Sequence, residues 1–85
     1  AVFPNPASSV VNLRYNSATP GTLNYRLMDM VGRVLITNSD EINTGVTNLQ
    51  LSIADLAVAS YMLEVSFSVN GTTLDRTSYK IEKLK

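Results

Sequence analysis

The sequence predicts an all-β fold, an Ig-like antiparallel β-sandwich of about seven short strands. Three observations carry this. Apolar residues recur at every second position along several stretches, while helical spacing is nearly absent. Turn signals punctuate the chain roughly every 8–12 residues. Hydrophobic residues make up 45% of the 85 residues, a globular composition and not that of a disordered tail.

Each element follows in order. Val11, Leu13 and Tyr15 alternate with Asn12 and Arg14. The stretch from Asn16 to Gly21 reads as a loop, since Pro20-Gly21 is turn chemistry. Leu23, Tyr25 and Leu27 alternate with Asn24 and Arg26. A tight turn at Met30-Val31-Gly32-Arg33 leads into the apolar run Val34-Leu35-Ile36. Residues 38–48 are mostly polar, include Gly45, and read as a longer loop. Leu49, Leu51 and Ile53 alternate again. Asp55 offers the one helix start, capping at most a short turn around Leu56. The cleanest strand is Tyr61, Leu63, Val65, Phe67 and Val69, followed by the hairpin signal Asn70-Gly71. Tyr79 and Ile81 mark the last strand.

The final hairpin holds a conflict. A two-residue Asn70-Gly71 loop pairs Val69 with Thr72 and turns Tyr79 and Ile81 away from the Leu63 face. A three-residue loop, or an equivalent bulge, shifts the register by one. The expectation is the shifted register, with Tyr79 opposite Tyr61 and both facing the core, because it buries two large side chains.

Composition excludes several classes. At 85 residues there is room for one small domain, residues 1–85, with a thin stability margin. Cysteine and histidine are both absent, so no disulfide, no zinc site and no Cys/His nucleophile pair can form. No catalytic residue, cofactor or metal is expected. Net charge is zero, which argues against a nucleic-acid partner. No apolar run approaches the ~18 residues of a helical span, so direct membrane insertion is not expected. The chain starts at Ala1 with no signal peptide and reads as a piece excised from a longer precursor. Charge is uneven: residues 76–85 carry Arg76, Lys80, Lys83 and Lys85 against Glu82 alone, while residues 1–75 carry three arginines against six acids.

Four motifs remain. Pro4-Asn5-Pro6 is a stiff, extended lead-in, with Phe3 expected to plug the sandwich end. Gly32 supplies a positive φ in a turn, and Arg33 can pair with Asp29 across it. Leu56 through Tyr61 resembles a tyrosine corner, in which a strand-start tyrosine returns its hydroxyl to nearby backbone. Lys80, Lys83 and Lys85 dot the end of the chain, and alternation turns Lys80 outward if Tyr79 and Ile81 face in. The aromatics fall at inward positions or strand ends, and tryptophan is absent, so no sugar-stacking platform is expected.

In this order, the Pro4-Asn5-Pro6 opening, Gly32-Arg33, Leu56…Tyr61 and the lysine-dotted end resemble the C-terminal sorting domain of the type IX (Por) secretion system of Bacteroidetes. The family usually has glycine where this chain has Ala59, which would cost on the order of 1 kcal/mol if that position needs φ > 0. The resemblance implies a C-terminal secretion signal on a larger cargo. It implies recognition by the type IX translocon in the periplasm, delivery to the cell surface or secretion, and removal by a sortase-like peptidase. Lys80, Lys83 and Lys85 would then be charged contacts on the terminal strand. Open sheet edges and the long last hairpin suggest strand exchange into a homodimer. The alternative is an accessory or adhesive β-sandwich module that binds carbohydrate or protein, favoured by an exposed aromatic patch or a convergent polar groove.

Overall fold

A computed structural model describes residues 2–3 and 7–85, so Pro4, Asn5 and Pro6 lie outside the described residues. It has seven strands and no helix among them: β1 (Val2–Phe3), β2 (Val10–Ser17), β3 (Gly21–Asp29), β4 (Val34–Ile42), β5 (Gly45–Ser52), β6 (Ala59–Val69) and β7 (Thr72–Lys83). They form two antiparallel sheets, one ordered β1-β2-β5 and the other β4-β3-β6-β7. The sandwich expected from alternation is therefore what the chain forms.

Alternation places the core. On β6 the side chains of Tyr61, Leu63, Val65 and Phe67 are buried, and on β3 those of Leu23, Tyr25 and Leu27. These rows are in register: Leu27 faces Leu63, Tyr25 faces Val65, and Leu23 faces Phe67. From the other sheet, Val11 and Leu13 of β2 fill the same core, backed by Leu49 and Leu51 of β5. The Tyr15 and Phe67 rings meet across the two sheets at a centroid distance of 5.4 Å. Burying this set is the main favourable term for a domain of this size.

Two connections differ from expectation. Residues 38–48 are not a long loop. β4 runs on to Ile42 and β5 starts at Gly45, leaving a two-residue turn. The polar residues Asn38 and Asp40 stand on the core side of an edge strand, opposite Tyr25 and Leu23. Tyr25 donates its hydroxyl to Asp40 Oδ2 at 3.0 Å, so a hydrogen bond replaces apolar burial there. Burial of the Tyr25 hydroxyl, helped by that carboxylate, raises its pKa. Ile53 and Leu56 close a simple turn, Leu56 N–H donating to the Ile53 carbonyl at 3.0 Å, and no helix follows Asp55.

The last hairpin resolves its conflict by a bulge. Asn70 and Gly71 form a two-residue loop with φ of 51° and 82°, and Val69 pairs with Thr72. Between Phe67 and Ser68 the register shifts, because β7 contributes Thr73, Leu74 and Asp75 where β6 contributes two residues. Beyond it Leu63 faces Tyr79 and Tyr61 faces Ile81. The expected partner of Tyr79 is thus corrected from Tyr61 to Leu63, while the shift itself and the inward aromatic are as anticipated. Leu74, the extra residue, is left exposed.

Phe3 does not plug the sandwich. It is exposed, pairs with Asn12 through β1, and lies under the Arg14 guanidinium, 5.4 Å from the ring centroid.

Candidate functional site

Segments far apart in sequence meet at one end of the sandwich. Asp29, the last residue of β3, is level with Tyr61, and Tyr61 is level with Ile81. Ala59 is level with Lys83, and β5 ends at Ser52 opposite Val10. The β3–β4 turn, residues 53–58, the lead-in at Ala7 and the tail beyond Ile81 therefore share this pole. Loops 18–20, 43–44 and 70–71 sit at the other.

Asp29 organises the β3–β4 turn. Its Oδ1 accepts from the backbone N–H groups of Val31 at 3.1 Å and Arg33 at 2.9 Å. Its Oδ2 accepts from Arg33 Nε at 2.9 Å, the ion pair anticipated from the sequence. The Arg33 backbone N–H, with the Arg33 side chain and the Val31 N–H, holds the Asp29 carboxyl below the usual carboxylate range. Gly32 has φ of 93°, a conformation costly for other residues. Around this polar knot the apolar side chains of Met30, Val31 and Val34 are exposed, Val31 at 86%. Val58 and Leu84 add exposed apolar groups at the same pole.

The tyrosine corner forms. Tyr61 is buried and donates its hydroxyl to the Ala57 carbonyl at 2.6 Å, while Leu56 packs against the core. Ala59 carries no positive φ. Asn70 alone does so among described non-glycine residues, so alanine at 59 costs no backbone strain.

The tail is clasped by the lead-in. Ala7 N–H donates to the Glu82 carbonyl at 2.9 Å, and Leu84 N–H donates to the Ala7 carbonyl at 2.7 Å. Ala7 is itself buried and forms a parallel bridge with Lys83. Of the three lysines, Lys80 projects outward, 3.5 Å from Glu82 Oε1, and Lys85 is exposed. Lys83 behaves differently. It is 5% exposed, on the same side of β7 as Tyr79 and Ile81, and its ammonium donates to the Leu84 carbonyl at 2.6 Å. Its stem packs and its head caps the tail. Parity along β7 carried that signal, since 79, 81 and 83 share one face. No sequence signal announces the Ala7 clasp, which arises from a crossing between sheets.

A family model for the secretion system C-terminal sorting domain matches residues 1–80. The chain belongs to this family. The match spans the Pro4-Asn5-Pro6 opening, Gly32-Arg33, Leu56, Tyr61 and Lys80, and leaves Lys83 and Lys85 beyond it. None of the curated proteins and none of the solved structures matches the chain. Sorting domains of this family are type IX secretion signals, so the chain interacts with that secretion system and marks export to the cell surface or secretion. The sorting-domain family is not an enzyme family.

Proposed function

We propose that this sorting domain, residues 1–85, is the C-terminal label of a longer cargo and is read as a folded unit by the type IX translocon. Reading takes place in the periplasm, at the pole where Gly32-Arg33, Leu56–Tyr61 and the tail converge. That convergence is the observation that supports the reading. Stability alone requires neither an exposed Val31 nor an apolar hairpin tip beside a cationic tail. Lys80 and Lys85 speed the encounter, and the edge of β7 ahead of the Ala7 clasp offers backbone for strand addition. Lys83 acts indirectly, by holding the tail in place. After passage, a sortase-like peptidase removes the domain ahead of Pro4-Asn5-Pro6. Exchange of the β6–β7 hairpin between copies gives a homodimer as a side reaction.

Export of a fusion tests this. The chain is joined to a periplasm-targeted fluorescent protein in a type IX-competent host. The reporter is expected outside the cell, and the double variant Lys80→Gln/Lys85→Gln is expected to slow its appearance without changing the melting temperature. A fusion that stays periplasmic, while a working sorting domain carries the same reporter out, overturns the reading. Normal export of the double variant moves recognition to the Gly32-Arg33 turn.

A further inference from the structure

We propose that the outer face of the four-stranded sheet carries a second binding site, for an acidic saccharide. It lies away from the pole and stands or falls separately from the sorting reading.

Register builds the site. Asn24 faces Ser39 on β4 and Ser66 on β6, and Ser66 faces Arg76 on β7. These four side chains form one row across all four strands. Three strand spacings of ~4.8 Å give the row a length of about 14 Å, that of a short oligosaccharide. The next row is taller, because Arg26 and Glu64 stand there as an ion pair at 2.9 Å. A shallow open trough results, lined by polar side chains from all four strands.

The row has hydrogen-bonding capacity to spare. Asn24 spends its Nδ2 on Ser68 Oγ at 3.3 Å. The side chains of Ser39, Ser66 and Arg76 make no hydrogen bond or ion pair among the described residues. Glu64 is already engaged by Arg26, so Arg76 is the open charge at the end of the row.

These features select the ligand class. The trough has no exposed aromatic face, so a neutral sugar gains no stacking there. Hydrogen bonds alone exchange with water for little net gain. A carboxylate on Arg76 supplies the charge-assisted, bidentate anchor that a hydroxyl cannot. Hydroxyl groups then suit the Ser66, Asn24 and Ser39 positions further along. A lone anion would leave those three unused. An added peptide strand would pair at a sheet edge rather than lie across the strands.

The test is an amide chemical-shift titration of the 85-residue chain with trigalacturonate. Saturable shifts are expected at Asn24, Ser39, Ser66 and Arg76. Arg76→Gln is expected to weaken binding at least tenfold with an unchanged melting temperature. Maltotriose and free galacturonate are expected to bind at least tenfold more weakly than the acidic trimer. Absence of saturable shifts, shifts centred elsewhere, or equal binding by Arg76→Gln overturns the proposal. Equal affinity for free galacturonate reduces the site to a simple carboxylate contact, and tighter binding of triglutamate makes it a peptide site. Either result also overturns it.

Discussion

Truncating Tyr61 separates the two roles that its position gives it. The ring is buried against Leu63, Ile81 and the core, and the hydroxyl holds Ala57 at 2.6 Å. Tyr61→Phe keeps the ring and removes the hydrogen bond. Ala57 is exposed, so its released carbonyl can bond to water and the loss is about 0.5–1.5 kcal/mol. Tyr61→Ala removes the ring as well and leaves a cavity, costing about 3–5 kcal/mol. At roughly 0.05–0.15 kcal/mol per residue, a chain of this length has only about 4–13 kcal/mol in total. With roughly 4–8 °C per kcal/mol for a small domain, the phenylalanine variant should melt about 2–12 °C lower. The alanine variant should lose at least ~12 °C or fail to fold. Thermal melts, with urea midpoints as a second measure, read both. The reasoning is refuted if the alanine variant melts within a degree or two of wild type. It is also refuted if the two variants lose the same amount, which would assign the whole effect to the hydroxyl.

Other outcomes follow from local geometry. Gly21→Ala should destabilise by about 1–3 kcal/mol in urea denaturation, because a Cβ there meets Phe67 Cζ and the Ser68 carbonyl oxygen, each at 2.6 Å. Tyr15 is pushed up to about 12 from 10.0, first by burial and then by its hydrogen bond to Asp75 and the charge of that carboxylate. The fold thus favours the protonated hydroxyl. That contribution is whole below pH 10.0 and is lost as pH rises through about 12, so urea midpoints should fall across this window more steeply than in Tyr15→Phe. Asp29 shows the opposite sign. Its lowered pKa means that its contribution is present above the usual carboxylate range and disappears as pH falls through the folded value. Carboxyl chemical shifts should show Asp29 titrating below the usual carboxylate range, and Arg33→Ala should move it upward.

The strands β2, β3 and β6 were legible because each alternates cleanly and packs one face. The second half of β4 was not, since Asn38 and Asp40 read as loop residues. Their place in a strand comes from pairing with β3 and from the Tyr25 hydroxyl, which is tertiary information. In the last hairpin, the demand to bury Tyr79 and Ile81 correctly called for a shifted register, while counting gave the wrong partner. At the candidate site, the Asp29–Arg33 turn and the tyrosine corner were readable because both are local. Their convergence with the tail was not, for it depends on strand order. Lys83 could have been placed by parity alone, but its charge suggested solvent.

The clasp at Ala7 bears on how the molecule is made. It joins Ala7 to Glu82 and Leu84, so it closes a loop that takes in most of the chain. β7 also supplies Ile81, a fully buried member of the core, and covers the open side of β6. Synthesis runs from the N-terminus, so a nascent chain holds six strands and an unfinished core until β7 arrives. A chain cut short before Ile81 therefore loses the whole sandwich and not merely a tail. Possession of the folded domain certifies that synthesis ran past β7.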